Sequence, residues 1–128
     1  MRKLIQIFLI VIFASFFTLS VPAQVVNQNK NYLQQQMILM GLYIYGINQE
    51  LAQKVPSTDE LMFLADSILD IAAQAKKVEN NKPHHSNLDE LLDTAEQLKK
   101  ACAKHDQLLA QTQAKNLLNS CAKCHSQR

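Results

Sequence analysis

The stretch STDELMFLADSILDIAAQAKKV, residues 57–78, decides the fold. Leu61, Leu64, Ala65, Ile68, Ala72 and Ala75 recur at spacings of three and four, which gathers them on one face of an α-helix. Ser57 followed by Glu60 is a capping-box pattern and marks the start of that helix. The stripe fades near Val78. One apolar stripe needs partners, and the same period extends in both directions along the chain.

Upstream, a first helix is expected from about Gln28 to Lys54, with the stripe Leu33, Met37, Met40, Gly41, Ile44, Ile47 and Leu51. Val55-Pro56-Ser57 ends it, because proline lacks an amide donor and restricts the residue before it. Downstream, Glu79 to Ser86 reads as a polar loop containing Pro83, and Ser86 as the cap of a third helix. That helix carries Leu88, Leu91, Leu92, Ala95, Leu98 and Cys102. Lys104-His105-Asp106 reads as a tight turn with Asp106 capping a fourth helix; a third helix running on without a break is the alternative. The last helix places Ala110, Ala114, Leu117, Leu118, Cys121 and His125 on one face, since four residues advance a helix by about 400°. His125 is therefore expected to point toward the interior. Four such helices joined by short loops imply an all-α, antiparallel up-down-up-down bundle.

Composition agrees with this reading. The 128 residues are 48% hydrophobic and 19% charged, with two Gly, three Pro and no Trp, which argues against a many-turned β fold and against disorder. The formal charge of +2 is too small for a phosphate-binding surface, and there is no glycine-rich phosphate loop. A nucleotide-dependent enzyme and a nucleic-acid partner are not expected.

The N-terminus has its own logic. Arg2 and Lys3 precede an almost wholly apolar run from Leu4 to Leu19, and Val21-Pro22-Ala23 supplies small residues at the positions a signal peptidase reads. Residues 1–23 are expected to be a secretory signal peptide, with residues 24–128 as the mature domain; an uncleaved membrane anchor is the alternative. Cleavage removes Arg2 and Lys3 and brings the formal charge to zero. The mature domain is then expected in the periplasm with no stable membrane insertion. Export also makes every cysteine a disulfide candidate, yet Cys102, Cys121 and Cys124 are odd in number.

Cys121-Ala122-Lys123-Cys124-His125 is the sharpest chemical signal. Cys-x-x-Cys-His attaches c-type haem: two thiols add across the two vinyl groups, and the adjacent histidine reaches the iron. Three other uses compete. A redox dithiol usually accompanies a βαβ unit, and none is visible. Half a zinc site would need further ligands from Cys102, His105 or His84-His85. A disulfide between cysteines three apart on a helix is poorly placed. Met62 and Cys102 read as packing, the loop pair His84-His85 as solvated, and Lys99, Lys100 and Lys104 as a solvated face. Met37 to Ile47 is apolar almost all round, so Ile38, Leu42 and Tyr45 need a partner surface; a homodimer through the first helix is expected.

An export leader, a four-helix bundle and a Cys-x-x-Cys-His near the C-terminus resemble the class II c-type cytochromes, the cytochrome c′ family. The architectural likeness covers the mature chain. At residue level it sits in Tyr32-Leu33-Gln34 to Met37 and from Lys104-His105-Asp106 to His125. Ser126-Gln127-Arg128 departs from the aromatic and arginine that commonly follow the histidine, and the second inter-helix connection is shorter. The resemblance implies one covalent haem c on the C-terminal helix, with thioether bonds at Cys121 and Cys124 and His125 as proximal ligand. It also sets Met37 at the distal position, with Met40 as competitor. A methionine ligand implies a low-spin carrier of single electrons between redox partner proteins, and no enzyme. An open distal position implies a five-coordinate protein that binds nitric oxide or carbon monoxide. A haem-free helical zinc-binding or structural protein is the third reading.

Overall fold

The computed structural model of the chain describes residues 21–126. The expected leader lies outside them except for Val21 to Ala23, and so does Arg128. The bundle described below belongs to the compact unit that begins at Tyr32.

Among the described residues there are four helices: α1 (Val21–Ala52), α2 (Thr58–Val78), α3 (Lys82–Ala103) and α4 (Gln107–Ser126). Side-chain contacts fix their directions. Tyr32 donates to Gln74 at 2.6 Å, while Tyr43 meets Phe63 edge-on with ring centroids 6.4 Å apart, so α1 and α2 run antiparallel. Lys76 pairs with Asp89 and Lys99 with Asp66, which sets α3 against α2 in the opposite sense. Lys123 pairs with Glu90 at 2.6 Å and does the same for α4 on α3. These surface ion pairs report register and contribute little stability each.

The expected stripes form the core. Ile47, Leu61, Ala65, Ile68, Ala72, Ala75, Ala95, Leu98, Ala110, Ala114 and Leu117 are fully buried. Alanines make up over half of that set, which lets the α2–α4 backbones approach closely.

The helix ends differ from expectation in three places, the first being α1, which begins at Val21 and not near Gln28. Ser57 caps α2 as the pattern implies, its hydroxyl accepting from the Glu60 amide at 3.2 Å. The reciprocal half of the box comes from elsewhere: the Ser57 amide donates to Glu50 of α1 at 3.1 Å. α3 starts at Lys82 and not at Ser86, with Asn81 as its cap residue and Pro83 inside the first turn. Proline costs nothing there, because a first-turn amide has no intrahelical partner. His84 and His85 are therefore helical residues.

The turn before α4 forms as read. Asp106 accepts from the Leu109 amide at 2.9 Å, which rules out a continuous third helix. The Asp106 amide reaches the Ala101 carbonyl and the His105 amide the Cys102 carbonyl, the paired bonds of a Schellman ending. His105 sits at the position that favours glycine, with φ 53°. His105→Gly is expected to stabilise the protein by about 1 kcal/mol by removing the left-handed penalty. A rise in the urea midpoint at unchanged slope is the measurement.

Candidate haem site

α1 and α4 face each other across two adjoining clefts. One, of about 290 Å³, is lined by Met37, Met40, Gly41, Ile44 and Asn48 of α1 and by Leu118, Cys121, Ala122 and His125 of α4. The other, of about 230 Å³, is lined by Leu33, Met37, Leu88, Cys124 and His125, with Glu79 and His84 also on its wall. Met37 and His125 belong to both. Each cleft alone falls below the roughly 300–1,000 Å³ usual for small-molecule sites, and Met37 and His125 stand where the two meet.

The helical period explains the α4 wall. Cys121 and Cys124 are three residues apart and His125 four beyond Cys121, so all three project to one side of the last turns. Leu117 below them is fully buried, Leu118 and Cys121 are half-buried, and His125 is exposed. This corrects the expectation of an interior His125. The last turn of α4 passes beyond the packed core, so the imidazole stands in the open recess. Met37 is half-buried, whereas Met40 is buried in the core and reaches only the first cleft.

The recess suits a flat apolar macrocycle. Its walls are mostly methionine, leucine and isoleucine side chains, with Asn48, Glu79 and His84 as polar members, two thiols and an imidazole on α4, and the thioethers of Met37 and Met40 on α1. The three cysteines are free thiols. Burial, reinforced by neighbouring Cys124, pushes the Cys121 thiol up to about 11. Burial, and then Asp59, also raises the Cys102 thiol, which packs as a core hydrophobe. With all three thiols free at pH 8, iodoacetamide is expected to modify Cys124 first, Cys121 slowly and Cys102 only in denaturant. Peptide mass mapping over time reads the order, and equal rates at Cys121 and Cys124 would contradict it.

Sequence reasoning missed one group. Glu79 and His84 stand on the wall of the second cleft, His84 Nδ1 3.1 Å from the Glu79 carboxylate. His85 Nε2 contacts the Glu79 carbonyl. Burial would raise the Glu79 carboxyl, but the Asn81 amide and the His84 imidazole outweigh it and hold it below its ordinary value. The signal was hidden because the two residues belong to different helix ends, joined only by the early start of α3. Tyr43 and Tyr45 line neither cleft. Among the described residues no three His, Cys, Asp or Glu side chains converge as a metal cage. Of the further zinc ligands the sequence offered, His105 and Cys102 line neither cleft, whereas His84 shares the second cleft with Cys124 and His125.

No family model matches the chain, and no curated protein or solved structure matches it either. Among the described residues no helix is long and apolar enough to cross a membrane.

Proposed function

We propose that the chain is a periplasmic c-type cytochrome of the four-helix, cytochrome c′-like kind, carrying single electrons on one covalent haem c. The observation that carries this reading is the shared membership of Met37 and His125 in two adjoining apolar clefts bordered by Cys121 and Cys124. Cys121 and Cys124 would hold the group by thioether bonds, His125 would ligate its iron from α4, and Met37 would ligate it from α1. Haem bound in this way supplies a ferric–ferrous couple, and a methionine opposite histidine raises its potential.

The protein's own part is positional. α4 presents thiols and imidazole on a rigid helix, which fixes their mutual geometry before any ligand arrives. Leu33, Ile44, Leu88 and Leu118 keep the recess apolar. Apolar side chains against the group would limit the rearrangement that accompanies electron gain or loss, while exposed His125 and the Glu79–His84 pair leave part of the recess polar and open. The function needs no catalytic residue, only redox partner proteins on either side.

The first-helix homodimer belongs to the same proposal. Ile38, Leu42 and Tyr45 are about 60% exposed on the outer side of α1. Asn31 to Gln49 contains no charged residue, so two copies can meet without like-charge repulsion.

The deciding experiment is periplasmic expression in a host with haem-attachment machinery. Haem staining is expected to survive denaturing electrophoresis. Sharp reduced bands that carbon monoxide leaves in place, with a weak far-red sulfur-to-iron band when oxidised, support the Met37-ligated carrier. A broad high-spin spectrum that shifts with carbon monoxide would favour the gas-binding protein. Absence of a Soret band would overturn the haem reading.

A further inference from the structure

The two glycines of the chain both lie in α1, and only one has a reason within the protein. A Cβ on Gly46 would stand 2.9 Å from Leu64 Cδ2, so that glycine serves the close packing of α1 on α2. A Cβ on Gly41 would meet nothing within 4 Å. Gly41 does not have positive φ either, so the backbone does not require it. Glycine inside a helix is otherwise disfavoured, because it loses more chain entropy than alanine. Gly41 lies one turn beyond Met37 on the wall of the first cleft, with Cys121, Ala122 and His125 across from it.

We infer that Gly41 is a clearance position: its missing side chain lets the haem face approach α1 closely enough for Met37 to reach the iron. This rests on the proposed haem reading and deepens it. Gly41 is a positioning residue and not a ligand. A methyl group at Gly41, an exposed residue on the wall of the first cleft, would meet no protein atom within 4 Å and would occupy space the recess leaves open. It would hold the macrocycle off α1 while leaving Cys121, Cys124 and His125 free to attach it. The chain thus keeps an unfavourable residue in mid-helix at a position that borders the first cleft and makes no core contact.

The test compares wild type with Gly41→Ala, Gly41→Leu and Gly46→Ala, all expressed with haem-attachment machinery. Haem staining, the far-red band and the carbon monoxide response are read, with far-ultraviolet helicity as the fold control. Both Gly41 variants are expected to keep covalent haem and helicity. They should lose Met37 ligation by roughly 10–100-fold, the scale seen when supporting residues around a metal are disturbed, with leucine the stronger. Gly46→Ala is expected to keep the wild-type spectrum. Unchanged bands and carbon monoxide insensitivity in both Gly41 variants overturn the inference, including when only their elution volume changes. A wild type that binds carbon monoxide overturns it too, since there is then no Met37 bond to set. A wild type without haem overturns the proposed function first, and the stain shows that before any variant is compared.

Discussion

On the proposed haem reading, Met37→Leu is expected to turn a carbon monoxide-insensitive protein into one that binds the gas stoichiometrically. Leucine nearly conserves the volume of methionine and stays apolar, so the half-buried site repacks with little stability cost. What disappears is the thioether sulfur, the donor on α1 that lines both clefts together with His125. The far-red band should vanish, the reduced bands broaden, and the potential fall as the methionine ligand is lost. Met40→Leu is the matched comparison. Met40 is only 6% exposed and reaches one cleft, so its replacement should leave the spectrum as it was. A Met37→Leu protein with an unchanged low-spin spectrum would remove Met37 from the site.

Leu98→Ala is expected to cost the bundle about 2–5 kcal/mol. Leu98 has no exposed surface and lies on α3, the helix packed between α2 and α4. It belongs to one continuous buried cluster in which alanines alternate with larger leucines and isoleucines. A drop of at least roughly 10 °C in Tm is the corresponding thermal effect for a domain of this size. Leu98 lines neither cleft, so the haem spectrum at low temperature should not change. Chemical denaturation with a lower midpoint and unchanged slope would confirm a packing loss; a cost under about 1 kcal/mol would mean that the core collapses around the vacancy.

Much of the architecture was readable locally. Period-three-and-four apolar stripes place α2, the core face of α1, and most of α3 and α4, because helix formation and burial of one face follow from neighbours within a turn or two. Ser57 and Asp106 declare their helices for the same reason: each cap is completed by an amide three residues on. The start of α3 was misread because proline signals a loop or a first turn equally well, and nothing nearby chooses between them. The partner of the Ser57 amide was not legible either. Glu50 is seven residues away, beyond the Pro56 break, and reaches Ser57 only once α1 and α2 fold back on each other.

The site divides along the same line. Cys121, Cys124 and His125 are fixed by sequence, since their spacing alone puts two thiols and an imidazole on one side of one helix. That Met37 faces them, that His125 stands in an open recess, and that Glu79 and His84 share its wall are decided by the packing of separate helices. The different uses of Gly41 and Gly46 are decided there as well. Within a helix, geometry is set by hydrogen bonds four residues long. Between helices it is set by how side chains from distant segments interlock, and no local pattern encodes which of them will meet.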